Sequence, residues 1–132
     1  DIFTASAETL QRALYHDPAR AAELAEPGPD PEDKEAVAKA ALERQLNLAA
    51  AGKFIWPIPD KGLKKRIHRI NTPTLILWGE SDGVIPPVYG QEFQRLISGS
   101  RLVVMPRCGH LPMLEEPQEF VRIVADFLEG RA

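Results

Sequence analysis

Cysteine is almost missing from this chain. Cys108 is the only one in 132 residues, which excludes an internal disulfide framework. Histidine is scarce as well, and His16, His68 and His110 show no ligand spacing for a metal. No metal site and no cofactor are expected. An excess of one charge is also lacking: 16 Lys and Arg stand against 19 Asp and Glu, for a net charge of −3. That balance leaves no footprint for nucleic acid or an anionic membrane. No apolar run approaches the ~18 residues of a membrane span, and no signal-peptide pattern is present. The expectation is one soluble, cytoplasmic chain with neither nucleic acid nor membrane as a partner. Internal repeats and low-complexity segments are absent too.

What the chain does contain is a short apolar run, Thr74-Leu75-Ile76-Leu77-Trp78, entered from Pro73 and ended by Gly79. Its continuity fits a strand buried on both faces, as in a parallel sheet. A polar loop then carries Asp82 just past the strand's carboxyl end, the edge at which open α/β sheets bind ligands. Pro87 to Leu96 reads as a helix with proline in its first turn. Ser98-Gly99-Ser100 breaks the chain, Leu102 to Met105 forms a second apolar run, and His110 lies in the loop beyond it. Glu116 to Leu128 closes as a helix with Phe120, Ile123, Val124, Phe127 and Leu128 on one face. Strand, helix, strand, helix implies a right-handed parallel pair. Asp82 and His110 then share one edge of an α/β sheet.

The first half reads as helical. Ser6 suits the cap of a helix reaching about Tyr15, and Asp17-Pro18 restarts a helix running to about Ala25. Glu26-Pro27-Gly28-Pro29-Asp30-Pro31 is a linker. A long alanine-rich helix follows, with Val37, Leu42, Leu46 and Leu48 on its apolar side. Gly52 is expected to stop it, leaving Phe54-Ile55-Trp56-Pro57-Ile58-Pro59 as an apolar loop. Asp60 is placed to cap a short helix containing Leu63, Ile67 and Ile70. Lys61, Lys64, Lys65, Arg66 and Arg69 read as its solvated face. Phe3, Tyr15, Phe54 and Trp56 suit the packing of this helical part.

Gly79-Glu80-Ser81-Asp82-Gly83 matches the letters of a G-x-S-x-G nucleophile elbow. The elbow is a sharp strand-to-helix turn, with the triad acid between serine and histidine. Here Val84-Ile85-Pro86-Pro87 replaces an immediate helix, and apart from the adjacent Asp82 only Glu92 is an acid between Ser81 and His110. Ser81 is therefore not expected to be a nucleophile. Cys108 shares a loop with His110 but is expected to be a packed thiol.

Pro73 to Pro86, reading PTLILWGESDGVIP, with Gly109-His110-Leu111-Pro112 and Glu115-Glu116-Pro117, resembles the last third of an α/β-hydrolase. The resemblance covers about residues 68 to 130. It implies that residues 68–132 are the C-terminal part of the core and residues 1–67 a helical cap or lid. It also implies that Asp82 is the triad acid and His110 the general base, with Phe54, Trp56 and Leu111 as substrate-binding candidates. The implied reaction is hydrolysis of a small ester-like substrate through an intermediate on serine. An aspartate nucleophile, as in dehalogenases and epoxide hydrolases, and a non-enzymatic interaction module remain the alternatives. The nucleophile and its elbow are expected on strands that this sequence does not contain.

Two parallel strands make a poor sheet, because parallel strands need cover on both faces and neighbours at their edges. The ordered form is expected to hold either the missing N-terminal half of the enzyme or a second copy at the free edge of the first strand. Size-exclusion chromatography with light scattering and intact mass spectrometry checks this. A cooperatively melting monomer of 14.6 kDa without a second polypeptide contradicts it.

Overall fold

The computed structural model describes residues 5–24, 27–55 and 62–131. Two compact units emerge. One joins residues 5–24 to residues 63–131, and the other comprises residues 27–55 and Gly62. These units do not follow the expected division at residues 67 and 68, because backbone hydrogen bonds tie the first segment to the sheet end. Gly83 N–H donates to the Ala13 carbonyl at 3.0 Å, and His110 N–H donates to the Leu14 carbonyl at 2.7 Å.

In the first unit, α1 spans Ala7–Leu14. Ser6 caps it, its hydroxyl accepting from Thr9 N–H at 3.2 Å. Asp17 caps a 3₁₀ turn over Pro18–Arg20, which runs into the short α2, Ala21–Leu24. Downstream, 3₁₀ turns cover Leu63–Lys65 and Ile67–Arg69 in place of the single expected helix. Only Ile67 of its apolar set is buried, while Leu63 and Ile70 are exposed. The expected cap at Asp60, and Phe3, Trp56 and Lys61, lie outside the described residues. Lys64, Lys65, Arg66 and Arg69 are exposed.

The sheet is the expected parallel pair. β1, Leu75–Gly79, pairs in register with β2, Arg101–Met105, with Leu75 opposite Arg101 and Gly79 opposite Met105. The helix α4, Val88–Leu96, packs against both strands. Trp78 reaches its Phe93 ring with centroids 6.1 Å apart. On the other side lies α6, Pro117–Leu128. Its Ile123 joins Met105 and Cys108 in a buried cluster, flanked by Leu75, Leu77, Val103 and Phe120. Leu128, expected on this apolar face, is 76% exposed; it is the last residue of the helix. One element was read as loop: Pro112–Glu115 forms a single helical turn, α5.

In the second unit, α3 runs over Lys34–Ile55, with the Asp33 carboxylate accepting from Ala36 N–H at 2.9 Å. Gly52 does not stop it. An isolated glycine costs a helix only about 1 kcal/mol. The helix passes through Gly52 and includes Ile55, the last described residue of this stretch. Phe54 and Ile55, expected in a loop, are therefore helical, and Phe54 is 75% exposed.

Cys108 has no exposed surface. Burial, then the nearby carboxylates of Glu115 and Glu116, push its thiol up to about 11. At pH 8 the native thiol should react with a disulfide reagent at least about a hundredfold more slowly than the urea-unfolded chain, because only the thiolate reacts. Equal rates would place Cys108 outside the core.

Candidate active site

Two loops meet at the carboxyl end of the sheet, one after each strand. Their approach is close enough to dictate sequence. A β-carbon on Gly79 would run into the carbonyls of Cys108 and Gly109, and one on Gly109 into the Leu14 carbonyl. Backbone ladders continue past the strands: Glu80 N–H donates to the Met105 carbonyl at 2.9 Å, and Ser81 N–H to the Cys108 carbonyl at 2.8 Å. After β2 the chain turns at Arg107, whose φ of 56° is left-handed. That conformation is uncommon for a residue with a side chain. The turn aims the following loop back across the strand ends.

Asp82 is buried, with 8% of its surface exposed, yet its carboxylate is well supplied with donors. Oδ1 accepts from the N–H groups of Val84 at 2.9 Å and Ile85 at 2.8 Å. Oδ2 faces His110 Nδ1 at 2.9 Å. Since an ionised carboxylate only accepts, this bond assigns the ring proton to Nδ1. Nε2 is left as the acceptor, on a side chain that is one-third exposed. A carboxylate bonded to Nδ1 in this way fixes the histidine tautomer and leaves the far ring nitrogen able to take a proton. His110 itself is held by its N–H bond to Leu14.

A cavity of about 200 Å³ opens beside the pair. Leu77, Trp78, Ile85, Met113 and Phe120 line it together with Asp82 and His110. Leu111, a substrate-binding candidate, is half-buried and contributes its carbonyl to the α5 turn, but is not among the lining residues. Phe54 sits on α3 in the other unit, and Trp56 lies outside the described residues. Among the described residues, no group of three or more His, Cys, Asp or Glu could hold a metal ion, and no helix is long and apolar enough to cross a membrane.

Two residues escaped sequence reasoning. His16 Nδ1 lies 2.7 Å from Ser81 Oγ, a contact across 65 positions that no spacing rule anticipates. Glu115 is buried and accepts from both Gly109 N–H, at 2.6 Å, and His16 N–H, at 2.7 Å. An acid inside the turn right after Gly109-His110 was the available signal. The N–H groups of Ser81, Asp82 and Gly83 all donate to carbonyls of the fold, so none points free to hold an oxyanion.

The relatives agree with this architecture. The pimeloyl-(acyl-carrier protein) methyl ester esterase of Neisseria meningitidis serogroup B, strain H44/76, is 38% identical over 64 residues, which are 48% of this chain and 25% of that enzyme. An alpha/beta hydrolase enzyme from a sediment metagenome of the Mar Chica lagoon, Morocco, superimposes with a TM-score of 0.60. It is 28% identical over 74% of this chain and 46% of its own. A serine hydrolase involved in carbazole degradation gives a TM-score of 0.52 at 29% identity, over 74% of this chain and 35% of its own. The chain thus spans about a quarter of the curated esterase it matches. The family model described as "Alpha/beta hydrolase family" matches residues 2–123, and with the parallel pair and its helices this makes the chain a member of the alpha/beta hydrolase family.

Proposed function

We propose that this chain supplies the acid and the base of a serine-type hydrolase acting on a small ester or related acyl substrate. The hydrogen bond between Asp82 Oδ2 and His110 Nδ1, at 2.9 Å, carries the reading. In the proposed mechanism, His110 Nε2 takes the proton of a serine hydroxyl as that oxygen attacks the acyl carbon, and returns it to the leaving alcohol. Asp82 stabilises the imidazolium formed in between without itself becoming protonated. Water then repeats the exchange to release the acid. The nucleophile and the oxyanion donors come, in this reading, from polypeptide outside residues 1–132. Support comes from the esterase likeness for the bond cleaved and from the serine-hydrolase likeness for the nucleophile.

Within the same reading, the cap or lid expected over residues 1–67 narrows to the separate unit inside that range, and Phe54, Trp56 and Leu111 contribute apolar surface to the substrate. The apolar cavity next to His110 suits a substrate with a small hydrocarbon part. A buried, unpaired Cys108 fits the reducing cytoplasm that we propose as its location.

The test is p-nitrophenyl ester hydrolysis by the full-length protein. His110→Ala should lower kcat by about 10³-fold or more, since triad members act as a unit. Asp82→Asn keeps an oxygen for the Val84 and Ile85 amides but turns an N–H₂ toward His110, and should lower kcat about 10⁴-fold through the wrong tautomer. Ser81→Ala should leave the rate unchanged, and residues 1–132 alone should not turn over ester. Full activity of His110→Ala, or turnover by residues 1–132 that Ser81→Ala abolishes, contradicts the assignment.

A further inference from the structure

We infer that Glu115 is a positioning residue for His110, an inference that rests on the hydrolase reading given above. Glu115 is 5% exposed; with Asp82 it makes up the buried polar and charged side chains among the described residues. Removing a carboxylate from water is costly unless donors replace the solvent. Here both oxygens are used, Oε1 by Gly109 N–H at 2.6 Å and Oε2 by His16 N–H at 2.7 Å.

The placement of those donors ties Glu115 to the base. Gly109 immediately precedes His110. His16 lies just beyond Leu14, whose carbonyl accepts His110 N–H at 2.7 Å. Two successive backbone N–H groups at His110 are therefore anchored, one to Glu115 directly and one to the segment that Glu115 also grips. The His16 ring carries the connection onward to Ser81 Oγ at 2.7 Å, next to Asp82. One carboxylate thus grips both the loop of the base and the segment beneath it.

The chemistry of the side chain explains why an acid is used. Two backbone donors converge on one side chain, and a carboxylate offers two acceptor oxygens with no N–H of its own. Glutamine keeps the shape but must set its N–H₂ against one of the two amides. One anchor is then lost while size and packing stay the same. Catalytic geometry tolerates little looseness, and a displacement of about 1 Å costs on the order of 10²-fold in rate.

The experiment is Glu115→Gln in the full-length protein, read in two ways. Ester hydrolysis should show kcat lowered about 10- to 100-fold with KM within about twofold. The second reading needs no activity: the low-field NMR resonance of the His110 Nδ1 proton, bonded to Asp82, should broaden or exchange at least about tenfold faster than in the wild type. A wild-type Nδ1 resonance and exchange rate in Glu115→Gln overturns the inference, whatever the kinetics. If the wild-type enzyme proves inactive toward esters but the substitution still disturbs that proton, the hydrolase reading falls and the placement of His110 by Glu115 stands. Should the variant not fold, amide exchange in the wild type decides. Gly109 and His16 N–H protected like the β2 amides support the clasp, and exchange at open-loop rates refutes it.

Discussion

The sheet end depends on the Asp82 carboxylate being fully supplied with donors while buried. A bare carboxylate in that position would be expelled or neutralised. Val84 and Ile85 each present an N–H to Oδ1, which bends the loop after β1 into a tight turn and leaves Oδ2 for one further donor. His110 Nδ1 fills that place. The same carboxylate that makes the loop a stable turn also orients the imidazole. Glu115 repeats the device in the turn after His110, with a backbone amide on each carboxylate oxygen.

Neither carboxylate could reach its donors without close backbone approach. Gly79 and Gly109 are the positions where the loops touch, and a side chain at either would collide with a carbonyl. β2 stands directly beside β1 in register, so the two loops emerge side by side. The buried cluster of Met105, Cys108 and Ile123 beneath them fixes the strand ends against α6. Removing a side chain such as Met105 from that cluster would cost about 2–5 kcal/mol, a sizeable share of a small domain's stability.

Much of this was legible in the sequence. The uninterrupted apolar run before Gly79 is a strand as its length and flanks imply, though Leu75, Leu77 and Trp78 are only half-buried, and two strands separated by one helix fit the parallel order. Asp82 and His110 follow from that order because each sits just past a strand end. The misreadings have physical causes. Gly52 was given the force of a stop signal, although a single glycine in a long alanine-rich helix is tolerated. Leu128 matches the helical period but sits at the exposed last position of its helix. The bond between His16 and Ser81 and the half of the Glu115 clasp that reaches His16 were illegible, because they join residues 65 and 99 positions apart; for the half at Gly109, an acid shortly after Gly109-His110 was the one signal.

In the function proposed above, Asp82 and His110 serve a nucleophile supplied by another part of the protein. A crystal structure of the full-length enzyme after inactivation by a phosphonate ester tests it most directly. The predicted result is a phosphonyl adduct on a serine outside residues 1–132, its oxygen within about 3.2 Å of His110 Nε2, with Asp82 still bonded to Nδ1. An adduct on Ser81 beside His16, or one far from an undisturbed His110, would contradict it.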